Sequence, residues 1–177
     1  MSPLGIRIYG DPVLKTVAAE VTNVDGALAR LVDDMVTTLY EANGLALAAP
    51  QIGVQKRFFV YDMGDGPEVI INPVIHESDG EWVYDEGCLS IPGLYVEMVR
   101  PKLVHVTGID INGNELSIEA DELFARMLQH EIDHLHGNTM FDKMTDDQRR
   151  EALREWRRMQ MEPPAAEKPK RRLRLGS

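Results

Sequence analysis

The feature that most constrains this chain is the segment His130-Glu131-Ile132-Asp133-His134, which has the pattern H-E-x-x-H. Apolar residues recur around it at helical spacing, which predicts an α-helix from about Asp121 to His136. Residues four positions apart lie on the same face of a helix, so both imidazoles can bind one metal ion. The carboxylate beside them is then placed to handle the proton of a water molecule at the metal. The motif indicates metal-assisted hydrolysis but does not identify the substrate.

Other segments predict two more helices and several strands. Asp25 is a plausible N-cap for a helix that ends near Asn43 with Gly44 as its C-cap. Thr145 and Gln148 form a capping box at the start of a last helix. Strands are predicted at residues 57–61, 69–72, 81–84, 95–99, 103–109 and 115–119. Within the last pair, Asn112-Gly113 predicts a two-residue hairpin turn with positive φ at both positions, so these strands should be antiparallel.

A catalytic metal site of this kind usually has three protein ligands, and the motif supplies two. The longer pattern H-E-x-x-H-x-x-G-x-x-H would supply a third histidine ligand. This chain does not have it, because Met140 stands where the last histidine would be. Glu151 and Glu155 lie in a charge-rich amphipathic helix and are expected to be solvated. The remaining histidines are also poor candidates: His136 points away from the ligand face, and His76 and His105 are expected to be ordinary sheet residues.

Cys88 is the remaining candidate for the third ligand, and it is the only cysteine in the chain. A lone cysteine is most often a small buried apolar residue. Its context, Glu86-Gly87-Cys88-Leu89-Ser90, contains a glycine that permits a tight backbone beside the sulfur. A thiolate is a strong ligand for Zn²⁺ or Fe²⁺. The resulting set is one thiolate, two imidazoles and one open position.

A third segment, residues 44–51, is made of small residues and ends in an amide. Small side chains permit a substrate backbone to approach closely. The Gln51 amide offers an N–H group that can stabilise an oxyanion. Taken alone, a Leu/Ala-rich run is more often part of a core.

Together the three segments resemble the three motifs of peptide deformylase, in the family's order, and the likeness covers roughly residues 6–161. The resemblance implies that Cys88, His130 and His134 bind one divalent metal ion, most often Fe²⁺ in the family and sometimes Zn²⁺. It implies that Glu131 moves the proton of the attacking water, and that an oxyanion is met by Gln51 and the backbone N–H of Leu89. Gly44 and Ala46 would line the substrate cleft, and apolar residues such as Leu128 and Ile132 would help to hold the methionine side chain. The family usually has glycine where this chain has Ala46, so the added methyl bears on the width of the cleft.

The implied fold is α+β, with antiparallel sheets packed around the H-E-x-x-H helix and a helix near each end. The implied reaction removes the formyl group from the N-terminal formyl-methionine of nascent proteins and releases formate. Nascent formyl-peptides and the ribosome are the expected partners. No apolar run is long enough for a membrane span and the N-terminus has no signal-peptide core, so a cytoplasmic location is expected.

Charge divides the chain into an acidic body and a basic tail. Residues 163–177 carry a net charge of +4. Because the whole chain carries −10, residues 1–162 carry −14. We therefore expect a catalytic domain at residues 1–162 and a disordered tail at 163–177 that can contact rRNA.

Two alternative functions remain open from the sequence. An H-E-x-x-H endopeptidase shares the metal and the general base, but it has no cysteine ligand and is expected to be indifferent to Cys88→Ser. A non-catalytic, ribosome-associated relative has no need of a general base, and Glu131 is present here.

Overall fold

The computed structural model describes residues 3–162, and the predicted tail at 163–177 lies outside them. The described residues contain three α-helices: α1 (Gly26–Glu41), α2 (Glu122–Leu135) and α3 (Asp146–Met161). They contain seven strands: β1 (Ala46–Ala48), β2 (Phe58–Tyr61), β3 (Glu68–Asp79), β4 (Trp82–Cys88), β5 (Ile91–Arg100), β6 (Leu103–Ile109) and β7 (Glu115–Asp121). Short 3₁₀ helices occupy Pro12–Lys15, Ala49–Ile52 and Met140–Lys143. None of the helices within this part of the chain combines the length and the hydropathy that crossing a membrane requires.

The strands form two separate antiparallel sheets. Five of them pair in the order β1-β2-β3-β6-β7, with β1 at one edge, and β4 and β5 form a two-stranded hairpin of their own. The predicted α+β class is confirmed, with α2 as the H-E-x-x-H helix. The site therefore has to be assembled from two sheets that are not hydrogen-bonded to each other.

Three apolar clusters pack the helices against the sheets. One face of the large sheet packs on α2 through residues such as Phe59, Val106 and Leu128. The other face packs on α1, and the β4–β5 hairpin packs on α3, where Trp156 contributes. Leu128 and Leu135 are fully buried on α2, and burying such a side chain stabilises a fold by about 1.5–3 kcal/mol.

The predicted caps are correct at two helix starts and wrong at one helix end. The Asp25 carboxylate accepts hydrogen bonds from two N–H groups at the start of α1, and Thr145 forms its capping box with Gln148. However, α1 ends at Ala42 as C-cap, and Asn43 takes the left-handed conformation at φ 54°. Asparagine tolerates this conformation, so Gly44 is not needed there.

The predicted hairpin after β6 is present, but its two-residue turn is wrong. The last pair of the ladder is Ile109 with Glu115, so the connection spans residues 110–114. Asp110 Oδ1 accepts hydrogen bonds from the N–H groups of Asn112 and Asn114, which stabilises the longer loop. Of the two predicted turn residues, Gly113 has positive φ and Asn112 does not.

Candidate metal centre

Two elements bring three metal-ligating atoms to one point. On α2, His130 and His134 lie one turn apart, and their Nε2 atoms are 3.2 Å from each other. Cys88 lies at the end of β4, with its Sγ 3.3 Å from His134 Nε2. Among the described residues these three form the one group of ligand atoms that could hold a metal ion, all within 4.8 Å of one another. A thiolate and two imidazole nitrogens that face each other in this way fit a divalent metal ion.

The backbone beside Cys88 is irregular. The β4–β5 ladder shifts register between Gly87, which pairs with Tyr95, and Cys88, which pairs with Ile91. The Tyr95 ring covers Gly87 so closely that a Cβ there would lie 2.5 Å from Tyr95 Cε1. A side chain at position 87 would therefore displace the Tyr95 ring, which is itself exposed.

Glu86 fixes the orientation of His130. Its Oε1 accepts a hydrogen bond of 2.7 Å from His130 Nδ1, which leaves the Nε2 lone pair directed at the other ligands. Burial raises the pKa of Glu86, but the hydrogen bonds from His130 and Arg100 outweigh it and hold this pKa well below its ordinary value. The carboxyl is therefore ionised.

Two arginines complete a buried ionic network around this carboxylate. Arg100 donates to both oxygens of Glu86 and, through Nη1, to Asp133 on α2. Arg126, one turn before His130 on α2, donates from Nη1 to Glu86 Oε2 at 2.7 Å. All charged partners lie within hydrogen-bond distance, which such a network requires when it is buried.

Glu131 is buried beside the ligands and lines the same cavity. Its Oε2 has no hydrogen-bond partner among the described residues. Burial raises the pKa of this carboxyl to about 7. An unpartnered carboxyl oxygen at a metal centre is placed to exchange a proton with a substrate or water.

Gln51 is oriented by its own backbone turn. Its Oε1 accepts a hydrogen bond from the Ala48 N–H, which directs the amide nitrogen toward the metal centre. That nitrogen donates to Ser90 Oγ at 3.1 Å and lies 3.6 Å from Cys88 Sγ. Leu89 follows Cys88 in the turn between β4 and β5, and its backbone N–H has no acceptor among the described residues. Two donors are therefore available at this side of the centre.

A cavity of about 460 Å³ opens onto these groups. Gly44 and Ala46 line it, as the sequence predicts, together with Gln51, Glu131 and Leu89. A Cβ on Gly44 would lie 2.7 Å from Leu89 Cδ1, so this glycine is needed for close packing rather than for a helix cap. The apolar part of the lining includes Leu45, Ile91, Leu94, Leu123 and Met127.

One predicted contact is wrong, and several exclusions are supported. Leu128 and Ile132 belong to the core between α2 and the large sheet and do not line the cavity. Met127, on the neighbouring position of the helix, is there in their place. His136 is exposed, and its Nδ1 bonds to the Ile132 carbonyl at the end of α2.

The other excluded side chains are also in ordinary settings. His76 and His105 bond to the hydroxyls of Thr107 and Ser117 on the sheet. Glu155 forms an ion pair with Arg158 on α3. None of these belongs to a group of ligand atoms within residues 3–162.

The sequence reasoning missed Glu86, Arg100 and Arg126 as members of the site. For two of them, the spacing in the sequence could have predicted a place near the proposed ligands. Glu86 is two positions before Cys88 in a strand, and Arg126 is four before His130 in a helix, so each shares a face with a ligand. Arg100 is distant in sequence from every ligand, and only the pairing of β4 with β5 brings it to Glu86.

Comparisons with known proteins agree on one family. The family model described as polypeptide deformylase matches residues 3–150. The chain is 51% identical over 139 residues to a peptide deformylase of Agathobacter rectalis, covering 78% of this chain and 88% of the relative. It is 47% identical to that of Clostridium botulinum, covering 82% and 99%.

Solved structures give the same result. The peptide deformylase of Legionella pneumophila is similar with a TM-score of 0.83 and 38% identity, over 92% of this chain and all of that one. The peptide deformylase of Ehrlichia chaffeensis, solved in complex with actinonin, has a TM-score of 0.84 and 38% identity, over 92% of this chain and 100% of that one.

Proposed function

The chain belongs to the peptide deformylase family, and from that premise we propose how its residues carry out the reaction. The reaction is the metal-dependent hydrolysis of the formyl group on the N-terminal formyl-methionine of nascent proteins, with release of formate. The observation that carries the residue assignment is the convergence of Cys88, His130 and His134 on one point, at the cavity that Glu131 also lines.

Cys88 Sγ, His130 Nε2 and His134 Nε2 are the proposed metal ligands. One thiolate and two imidazoles suit both Fe²⁺ and Zn²⁺; Fe²⁺ is the proposed ion, as the family resemblance implies, and Zn²⁺ is the alternative. When bound, the ion supplies Lewis acidity, which polarises a carbonyl oxygen and lowers the pKa of water. Glu86 supports this assignment, because its bond to Nδ1 gives His130 the tautomer that a ligand needs.

Glu131 is the proposed general base and acid. Its unpartnered Oε2 would accept the proton of the attacking water and then deliver it to the nitrogen of the departing amine. The burial of Glu131 supports the role, because the proton is then exchanged with the reacting groups and not with bulk solvent.

Gln51 and Leu89 are the proposed oxyanion donors. Ala48 holds the Gln51 amide so that its nitrogen faces the centre, and the Leu89 N–H at the adjacent turn has no acceptor within residues 3–162. Donors that are fixed before the reaction stabilise developing charge without reorganisation. Gly44 and Ala46 are the proposed cleft wall for the substrate backbone, since both line the cavity. We also propose that actinonin, which the Ehrlichia chaffeensis relative binds, occupies this cavity in the present protein.

The wider setting is also a proposal. Residues 1–162 would form the catalytic domain, which the match over residues 3–150 supports. Because nascent chains are the substrate, we propose that the enzyme acts in the cytoplasm, at the ribosome. The +4 charge of residues 163–177 supports a contact with rRNA. Deletion of residues 163–177 is expected to weaken ribosome binding at low salt; unchanged, salt-independent binding would exclude that contact.

The decisive test of the residue roles uses protein loaded with Fe²⁺ under anaerobic conditions and a formyl-methionyl peptide. Formate release is measured together with the metal content of each variant. Glu131→Gln is expected to retain metal and to lose activity by about 10²–10⁴-fold. Cys88→Ser is expected to lose or alter the metal. The endopeptidase alternative predicts no effect of Cys88→Ser, and it is not supported by the relatives, which are peptide deformylases.

A further inference from the structure

The metal centre lies across a junction that no sheet hydrogen bond spans. Cys88 belongs to the β4–β5 hairpin, and both histidine ligands belong to α2, which packs on the separate five-stranded sheet. The ligand atoms nevertheless lie within 4.8 Å of one another. The hairpin is tied to the five-stranded sheet by two-residue connections at both ends, and side-chain contacts with α2 are what can fix the position of Cys88 relative to the two histidines.

Arg126 on α2 makes that contact with three hydrogen bonds into the hairpin. Its Nη1 donates to Glu86 Oε2 at 2.7 Å, and its Nη2 donates to the carbonyls of Trp82 at 2.7 Å and Met98 at 2.8 Å. Trp82 is on β4 and Met98 on β5, so one guanidinium reaches both strands. Its planar fork is suited to several acceptors in fixed directions, which an ammonium group is not.

Arg126 and His130 bind opposite oxygens of the same carboxylate. Arg126 contacts Glu86 Oε2, and His130 Nδ1 contacts Glu86 Oε1. The two residues are one turn apart on α2, so the plane of the carboxylate is fixed between them. Because Glu86 is two residues before Cys88 on the same strand, this also fixes the strand that carries the thiolate.

Arg126 is almost completely buried. The residue is 3% exposed, and its guanidinium carbon lies 5.3 Å from the centroid of the Trp82 ring. Trp82 in turn stacks on Tyr84 at 4.6 Å, and Tyr84 lines the cavity. Hydrogen bonds to a charged donor are strong in such a setting.

We propose that Arg126 is a positioning residue of the metal centre, which holds the Cys88 hairpin against α2 so that the thiolate and the two imidazoles face one another. This inference rests on the proposed ligand set of Cys88, His130 and His134. Arg126 also lines the cavity, but its three hydrogen bonds go to the hairpin and none goes to a proposed metal ligand. Arg100 supports the same carboxylate from within the hairpin and reaches α2 through a single bond, to Asp133.

The test compares Arg126→Gln and Arg126→Lys with the unaltered full chain. The dissociation constant for Co²⁺ is measured by competition with a chromophoric chelator, and the thiolate-to-cobalt absorption band reports the Cys88 bond. Arg126→Gln is expected to weaken Co²⁺ binding about 10- to 100-fold, the effect typical of lost outer-shell support, and to reduce the band. Arg126→Lys is expected to restore part of the affinity, because one ammonium replaces part of the fork.

Arg57→Gln is the matched control. Arg57 is a partly buried arginine that, like Arg126, donates to a backbone carbonyl, that of Ala18. Within residues 3–162 it forms no hydrogen bond or ion pair with a residue of the metal centre. Thermal unfolding of the metal-free proteins is followed for all variants. Arg57→Gln is expected to lower thermal stability without changing the Co²⁺ dissociation constant.

Three outcomes would overturn the proposal. The first is a folded Arg126→Gln protein with unchanged Co²⁺ affinity and absorption. The second is loss of folding in both Arg126 variants, because a positioning role leaves the three apolar cores intact. The third is an unchanged dissociation constant in Cys88→Ser, in which case the ligand set fails as well. Weaker binding in Cys88→Ser with unchanged binding in the Arg126 variants would refute only the role of Arg126.

Discussion

His130 and Glu86 form a hydrogen bond of 2.7 Å in which the imidazole Nδ1 donates to the carboxylate Oε1. Glu86 lies on the hairpin that carries Cys88, and His130 lies on the helix that carries another proposed ligand, His134. The bond uses the Nδ1 proton, so the Nε2 lone pair is directed at the proposed metal position. The carboxylate therefore supports the site although it is not one of the three proposed ligands.

Glu86→Gln is expected to lower both stability and metal affinity. The substitution leaves Arg100 and Arg126 as buried charges without their shared carboxylate, which costs about 3–5 kcal/mol of unfolding free energy. Metal affinity is expected to fall about 10- to 100-fold, because His130 loses its acceptor. Urea unfolding and chelator competition measure the two effects.

Glu97→Gln is the control for this substitution, since Glu97 is an exposed residue of the same hairpin. It is expected to change stability by less than about 0.5 kcal/mol. Equal effects of the two substitutions would show that the buried network around Glu86 does not support the metal centre.

Gly44→Ala is expected to lower activity with little change in stability. The new Cβ would lie 2.7 Å from Leu89 Cδ1 and 3.0 Å from Leu39 Cδ1, so the Leu89 side chain has to move. A shift of the Leu89 backbone would displace a proposed oxyanion donor, and a misplacement of about 1 Å costs up to about 10²-fold in rate. The ratio kcat/KM for a formyl-methionyl peptide measures the loss.

A second substitution tests the steric cause. In Gly44→Ala combined with Leu89→Ala, the clash is removed while the Leu89 backbone N–H is kept, so activity is expected to recover toward that of Leu89→Ala alone. Gly5→Ala is the control, because nothing lies within 4 Å of a Cβ there. Failure of the double variant to recover would refute the steric explanation.

Ala46 is the residue at which this chain departs from the usual family pattern, and it is expected to set the width of the cleft. Ala46→Val should raise KM at least about tenfold, because valine adds two carbons at the wall of the cleft and a single methylene group in a pocket is already worth about 1–3 kcal/mol. Ala46→Gly should lower KM and also lower the unfolding free energy by about 0.5–1 kcal/mol, since glycine weakens a strand. Steady-state kinetics of both variants check the trend, and a KM that is the same in both would contradict it.

Sequence patterns predicted most of the ligand side of the site. Periodicity identified α2 and the shared face of His130 and His134, because helical spacing alone fixes those relations. Gly44 lines the cavity, and its predicted role as a helix cap was wrong. Asn43 takes the left-handed conformation instead, which its short polar side chain permits.

What the sequence did not predict depends on pairing between distant segments. Arg100 reaches Glu86 through the β4–β5 register, and Asp133 reaches Arg100 only once the hairpin lies against α2. The residues that line the cavity could not be predicted for the same reason. Met127 and Leu128 are adjacent in an apolar part of α2, but Met127 lines the cavity and Leu128 packs in the core. Which of the two lines the cavity depends on the elements packed against each side of the helix.

Asp142 is expected to make stability depend on pH through its contact with the N-terminal segment. Burial alone would raise the pKa of this carboxyl, but the hydrogen bonds from Lys15 Nζ at 2.8 Å and the Thr139 N–H at 2.8 Å outweigh it, and the pKa lies below its ordinary value. A group whose pKa is lower in the folded state stabilises the fold above its unfolded pKa, and this contribution is lost as the pH falls through the folded pKa.

Asp142→Asn is therefore expected to lower the unfolding free energy by about 1 kcal/mol at pH 7, and by progressively less as the pH falls below about 4. Urea unfolding of both proteins from pH 7 to pH 3 measures the difference. Asp65→Asn, at an exposed position in a loop, is the control and should show no such trend. If the difference in unfolding free energy for Asp142→Asn stays constant over this range, the carboxylate charge is not what stabilises the fold. Protonation removes that charge, so a contribution that depends on it has to decrease as the pH falls.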